Sequence, residues 1–343
     1  MKGGVKIAVT IRDVAKRARV SISTTSRALN DSGPVKEETK ARVLKAAKEI
    51  NYTPNAIARG LVTRKTGNIG FILPANVKNG TSNPFYSRVF EGIEAETRER
   101  NFHLIFSILD ENEEDFPRMV KEKNIDGVIF ASKISERFIL QLKKRGIVLA
   151  LVDHAIEQGN IDSVVIDNFN GACKMVNHLL KLGHRRIGFI RGPQNRPSFI
   201  QRFEGYKAAL KKAGLEYDKR IVWEADLDFD NAYKIMKRKI KIQPFPTAIF
   251  ATTDIVALAT AKVIREEGLR IPEDVSLAGF DDILQARQAH PPLTTIRVFK
   301  REMGRIAVRK LFENINGIIK KPSQTVILTE LVVRDSTGPP KLG

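Results

Sequence analysis

Only one cysteine, Cys173, stands among 343 residues. No disulfide can close within the chain, and a lone cysteine in a helical pattern is expected to be packing, not chemistry. The five histidines (His103, His154, His178, His184 and His290) are scattered. No Cys/His cluster accompanies them, so no metal and no cofactor are expected. No apolar run approaches the ~20 residues of a membrane-spanning helix, so no membrane partner is expected. The opening "MKGGVKIAVT" lacks the apolar core and small-residue cleavage site of a secretion signal, and the expected compartment is the cytoplasm. Catalytic signatures are missing too: there is no GxSxG elbow, no GxxxxGKS or GxxxxGKT loop and no HExxH pair. An enzyme using Asp153 and Asp281 as acid and base is therefore the weakest of the available readings.

Positive charge is what the chain has in excess, and it is unevenly spread. The net charge is +19. Residues 1–66 hold 15 Lys and Arg against 5 Asp and Glu, whereas the other 277 residues hold 43 against 34. One fifth of the chain thus carries about half the excess, the footprint of a small polyanion-binding module on a larger, roughly neutral body. The length allows two or three domains with real cores.

The basic end reads as short helices. Thr10 can cap a helix with Asp13 in capping-box spacing. In "IRDVAKRA" (11–18) the residues Ile11, Val14, Ala15 and Ala18 share one face. After Arg19 and Val20, Ser21 caps a second helix, Ile22 to Leu29, closed by Asn30. "DSGPV" (31–35) is a turn. A third helix, about Lys36 to Ile50, is expected to bury Val43, Leu44, Ala47 and Ile50. Two short helices across a tight turn, backed by a third, make a helix-turn-helix unit. The second helix sets Ser21, Ser23, Thr24, Ser26 and Arg27 against Val20, Ala28 and Leu29. Small hydroxyls near its start can approach phosphates and base edges in a major groove, and an arginine one turn on can fork onto guanine.

Beyond Asn68 the apolar runs "IGFIL" (69–73), "HLIFSI" (103–108), "GVIFA" (127–131) and "GIVLALVD" (146–153) alternate with helical stretches. The pattern restarts after Asp167 with "RIGFI" (186–190), "TAIFAT" (247–252) and "VSLAGFDD" (275–282). Such strands belong to parallel sheets covered on both faces, here in two similar Rossmann-like α/β lobes. Ligands bind beyond the carboxyl ends of such strands. Asp153, Asp254, Asp281 and Asp282 sit there, with Arg196 and Arg202 flanking the loop after "GFIRG". Carboxylates accept from neighbouring hydroxyls and arginines donate to oxygens, which suits a polyol. "SNPFY" (82–86) adds aromatics that can cover a sugar or base face.

"TIRDVAKRARVSISTTSRALN" followed by "RVLKAAKEINYTPNAIARGL" resembles the DNA-binding head of the lactose/galactose repressor (LacI/GalR) family. "KLGHRRIGFIRGP", "RFEGYKAAL" and "IPEDVSLAGFDD" are close to signatures of its effector domain. The resemblance spans nearly the whole chain. It implies a helix-turn-helix domain over 1–53, a hinge helix and linker over 54–67, and a two-lobed, periplasmic-binding-protein-like effector and dimerisation domain over 68–343. The chain is expected to switch between lobes near 153–168 and 281–300. By position in the family motif Ile22, Ser23 and Arg27 read bases, while Ser21, Thr24 and Ser26 contact phosphate or backbone. In the hinge the matching positions are Asn55, Ala58, Arg59 and Leu61, with Leu61 the apolar wedge that kinks the duplex. Phe85, Asp153, Arg202 and Asp281 match effector-contacting positions, Arg196 and Ser198 match positions that vary with ligand, and Asp254 joins them as a strand-end candidate.

The implied function is a transcriptional regulator, most simply a repressor. It would be a homodimer on a palindromic operator, controlled by a small-molecule effector for which a sugar is favoured. A purine- or nucleoside-responsive regulator is the alternative, and a solute-binding protein a further one that fails to explain the basic head. Several departures from the family pattern stand out. Arg19 occupies a turn position that is often Gly or Asn, Thr25 a core position usually Val, and Lys36 a capping position usually Ser. The stretch between "HLIFSI" and "DGVIF" is short by about one helical turn, which leaves Pro117 to start a shortened helix. The terminal "DSTGPPKLG" reads as a frayed end.

Overall fold

The computed structural model describes residues 9–30, 33–53, 65–77, 80–110, 116–318 and 321–341. The chain divides between Gly67 and Asn68 into two units.

Among the described residues the first unit holds three helices: α1 (Ile11–Ala18), α2 (Ile22–Asn30) and α3 (Glu37–Glu49). Thr10 starts α1 with its amide and its hydroxyl both donating to Asp13 Oδ2 at 2.8 Å. Arg19 ends α1 in the left-handed region at φ 54°, a conformation that strains a residue with a Cβ. Val14, Ala18, Ala28, Val43, Ala46 and Ala47 make the core, with Val20, Leu29, Val35, Ile50 and Tyr52 packed around it. Thr25 lies fully buried among them, and its hydroxyl is satisfied by donating to Ser21 O at 2.9 Å. Leu44 departs from expectation: it is 48% exposed. The inward stripe of α3 runs through Val43, Ala46 and Ala47, and Leu44 lies one helical step off it.

The second unit holds two parallel sheets. Strands β1 (Asn68–Pro74), β2 (His103–Leu109), β3 (Gly127–Ala131), β4 (Leu149–Val152), β5 (Asp162–Ile166) and β11 (Gln324–Ile327) form one, in the order β11-β5-β4-β3-β1-β2. Strands β6 (Ile187–Arg191), β7 (Val222–Glu224), β8 (Ala248–Ala251) and β9 (Ser276–Ala278) form the other, in the order β7-β6-β8-β9. Short β10 (Thr295–Arg297) and β12 (Glu330–Val332) pair antiparallel beside the second lobe. The apolar runs of the central strands are buried on both faces, as in β3 where every residue is inside, whereas β2 at the sheet edge is only half-buried and leaves Ile108 exposed. Residues such as Phe71, Phe130, Phe189 and Phe250 each contribute roughly 1.5–3 kcal/mol by leaving water.

Helices cover the sheets: α4 (Tyr86–Glu99), α5 (Arg118–Lys121), α6 (Glu136–Lys144) and α12 (Lys300–Ile315) on the first lobe, and α7 (Asn168–Lys181), α8 (Pro197–Lys212), α9 (Phe229–Lys239), α10 (Asp254–Glu266) and α11 (Leu284–Gln288) on the second. Pro117 precedes the single turn of α5, in keeping with the short stretch seen in the sequence. Helices α4 and α12 cross at Gly92 and Gly304, so closely that a Cβ on either would strike the other helix's main chain.

The chain passes between lobes after β5, again between β10 and α12, and a third time between β11 and β12. Sequence periodicity gives no sign of the third passage. The C-terminal segment is not frayed through residue 341. Ser336 is 1% exposed, its carbonyl accepts from Leu277 N at 2.8 Å and its hydroxyl donates to Leu277 O at 2.6 Å. Buried His184 binds Gly338 O at 2.8 Å, so the tail lies along β9 as an extra edge.

Candidate functional site

The first site is the outer face of α2. Ser21 accepts from Thr24 N at 3.0 Å, and its hydroxyl lies 2.8 Å from those of Ser23 and Thr24. This hydroxyl cluster caps the helix and leaves Ser21, Ile22, Ser23 and Arg27 exposed, with Thr24 and Ser26 half-buried. Ile22 is 47% exposed, an apolar side chain with no core to enter, suited to a thymine methyl. Ser26 accepts from Asn30 at 3.3 Å, so part of its capacity is spent inside the helix. Asn55, Ala58, Arg59 and Leu61 lie outside the described residues.

The second site lies between the lobes, where strands end and helices begin. A cavity of about 250 Å3 is lined by Phe85, Asp153, Arg196, Ser198, Arg202 and Asp281 among others. Six of the seven expected ligand residues therefore meet in one place. Asp153 holds a left-handed φ of 58° after β4 and accepts from Tyr86 OH at 2.9 Å. Burial raises its carboxyl above the usual range, against the pull of Arg202. Tyr86 is raised as well, first by burial and then by the Asp153 charge, so the phenol stays a proton donor.

Arg202, 3% exposed, donates to Asn168 Oδ1 at 2.8 Å and to Thr252 O at 2.5 Å. Its contact with Asp281 is longer, at 3.4 Å. Both residues belong to the second lobe, so this is not a pair between lobes, as a salt bridge across the cleft would be. Burial pushes the Asp281 carboxyl up to about 6, with Arg202 and Lys300 opposing. Arg196 does link the lobes: it donates to Ser132 Oγ at 3.0 Å and to Asn76 Oδ1 at 3.1 Å, both on the first lobe.

Asp254 is the exception. It is fully buried and does not line the cavity. Its Oδ2 accepts from Ile283 N at 2.9 Å and its Oδ1 from Thr295 at 2.5 Å. Nor does it cap α10, since Thr253 does. It braces the turn after β9 from behind. Burial and the Asp281 charge push its carboxyl upward. Asp282 also faces away, held between Arg287, Arg297 and Arg334. Burial opposes ionisation there, but the three guanidinium groups keep its pKa well below the carboxylate range.

Sequence reasoning missed Asn76, Asp226, Phe199 and Lys300. The first two follow strand ends β1 and β7, so the strand-end rule would have found them had it been applied to every strand. Lys300 carries no local signal. It is buried at the start of α12 and donates to the main-chain oxygens of Asp281, Asp282 and Val298. It thereby ties the turn that carries Asp281 to the second passage between lobes.

A head that offers a helix to a groove and a body with a small cavity between two lobes, where carboxylates and arginines meet aromatic side chains, define a ligand-responsive DNA-binding regulator. Residues 10–55 match the bacterial regulatory proteins, lacI family, and residues 176–337 match the periplasmic binding protein-like domain. The chain is 31% identical over 339 residues to the HTH-type transcriptional regulator CelR of Thermobifida fusca, across 95% of this chain and 98% of that protein. It superposes on the CelR–cellobiose complex with a TM-score of 0.73 at 30% identity, covering 96% of this chain and 99% of that one. The lac repressor dimer bound to operator and the anti-inducer ONPF shares the fold, with a TM-score of 0.80 at 24% identity over 97% of this chain and 100% of that one. The chain belongs to the LacI family of transcriptional regulators.

Proposed function

We propose that this chain is a homodimeric repressor of the cytoplasm whose grip on a palindromic operator is set by a saccharide held between its lobes. The observation that carries the reading is the convergence of Asp153 from one lobe with Asp281 and Arg202 from the other on one cavity. Two buried carboxylates and an anchored guanidinium give acceptors and a donor for vicinal hydroxyls. The lac repressor complex shows the same fold on operator DNA, and the CelR complex holds a disaccharide. Both support the reading by likeness.

In the head, Ile22, Ser23 and Arg27 read base edges while Ser21, Thr24 and Ser26 touch the backbone. The segment 54–67 carries the hinge, with Asn55, Ala58 and Arg59 along the minor groove and Leu61 as the wedge. In the effector domain Phe85, Asp153, Arg196, Ser198, Arg202 and Asp281 hold the ligand, and turnover is not part of the role. Ligand bound to both lobes favours one lobe angle, and that angle decides whether two hinges can order together on DNA. The coupling is reciprocal, so operator DNA must change ligand affinity by the same factor.

A thermal-shift panel of monosaccharides, disaccharides, sugar phosphates and purines tests the reading. A ligand at about 100 times its Kd adds roughly 2.7 kcal/mol of stability. A saccharide that shifts the melt and alters operator affinity is the expected result. A purine hit would replace the saccharide, with Phe85 and Phe199 then flanking a base.

A further inference from the structure

We infer that the inter-lobe cleft is a two-subsite site for a two-ring saccharide, the second ring lying beyond Arg196 on Phe169. This rests on the saccharide reading above and adds the size of the ligand and the place of its second unit.

A second void of about 260 Å3 adjoins the first, and the two share Asp153, Arg196 and Ser198 as lining. Arg196, bonded across to Ser132 and Asn76, stands where they meet. The second void extends toward the ends of β5 and β11 and the first turns of α7 and α8.

Its lining has the composition of a glycan site. Phe169 and Val326 are 40% and 49% exposed, apolar surface that the fold leaves uncovered. Gln201 and Gln324 bring side-chain amides to the same void. A pyranose presents C–H groups on its faces and hydroxyls around its rim, which matches an aromatic beside amides.

The charges there are engaged within the protein. Lys133 donates to Asn195 O at 2.6 Å, and Asp167 accepts from Asn170 N at 3.2 Å. His154, buried in the wall, is held neutral, with burial and Lys133 lowering its pKa to about 4. A neutral ligand fits such a lining better than a phosphorylated one. The glycosidic link would pass Asp153, Arg196 and Ser198, the residues common to both voids.

Isothermal titration of the full-length protein decides. Glucose, xylose and galactose are compared with cellobiose, xylobiose, maltose and lactose, on wild type and on Phe169→Ala, Gln324→Ala and Phe85→Ala. The expected result is one disaccharide that binds about tenfold or more tighter than its own monosaccharide. Phe169→Ala or Gln324→Ala should remove that advantage while the monosaccharide titration stays unchanged, and Phe85→Ala should weaken both. Two exposed positions on different elements guard against one variant that fails to fold. A monosaccharide that binds as tightly as every disaccharide would overturn the two-subsite assignment and leave the saccharide reading standing. So would a Phe169→Ala and Gln324→Ala pair that changes neither titration. Binding of a purine with no heat from any sugar would overturn the saccharide reading itself.

Discussion

The guanidinium carbon of Arg202, which lines the cavity beside Asp281, lies 3.7 Å from the centre of the Phe280 ring. Stacked this way and bonded to Asn168 and Thr252, Arg202 is held in one orientation at the cavity before any ligand arrives. Preorganisation of this kind raises affinity by lowering the ordering cost of binding.

Arg202→Ala is expected to cut effector affinity by about 2–3 kcal/mol, on the order of 30- to 150-fold. Operator binding without effector should persist. Titration calorimetry and fluorescence anisotropy on the same preparation check both halves, and a normal effector response would return Arg202 to a purely structural role.

Effector binding should depend on pH through Asp281. Its folded pKa of about 6 lies above the unfolded carboxylate value of about 3.9. Between those values the folded chain holds a proton that the unfolded chain has released. Stability from this group therefore falls as pH rises from about 4 to about 6, and is level above. Affinity for a polyol should move the opposite way, rising over the same window as the carboxylate ionises. Asp281→Asn should bind weakly and show a flatter profile; an unchanged profile would assign the titration elsewhere.

On the DNA side, Arg27→Ala is expected to cost about 1–3 kcal/mol of operator affinity and to relax specificity at one base position. Leu61→Ala should weaken binding to a centred palindrome while leaving effector titration untouched. Equal affinity of the Leu61 variant for that palindrome would remove the wedge from the account.

Gly92→Ala is predicted to lower stability by about 1–3 kcal/mol, because the added methyl meets the Arg301 carbonyl and two long helices must part to admit it. Gly304→Ala should do the same through Val89. A melting temperature within a degree or so of wild type in both would mean that the α4–α12 crossing yields more readily than its spacing implies.

The sequence made some layers plain and hid others for physical reasons. Strands such as Ile69–Leu73 announce themselves because parallel sheets bury both faces, and the α1–α2 unit because caps and turn residues are local. Helix α12 and strand β12 went unseen, since α12 is placed by contacts with α4 some two hundred residues earlier and three-residue β12 by pairing with equally short β10. Asp153 and Asp281 were legible as strand ends. Asp254 looked the same in sequence, yet its carboxyl turns inward to Ile283 and Thr295, a choice fixed by the antiparallel β10–β12 pair, which periodicity does not reveal. Lys300 was invisible for the same reason. The tail misled because Pro and Gly read as loose, while Ser336 and Gly338 find partners on β9 and at His184.

The three passages between lobes bear on how the protein is made. Neither lobe is one continuous stretch of chain, because β11 completes the first sheet only after all four strands of the second sheet have been written, and β12 and the tail then return to the second lobe. During synthesis the β5 edge therefore stands open while nearly 160 residues are added, and the first lobe waits for its outermost strand. An open edge is a template for pairing with other chains. A ribosome that stalls beyond Ile166 but short of Gln324 would release a chain whose first sheet is unfinished and prone to association. The late arrival of four residues thus makes the emerging chain's most vulnerable interval also its longest.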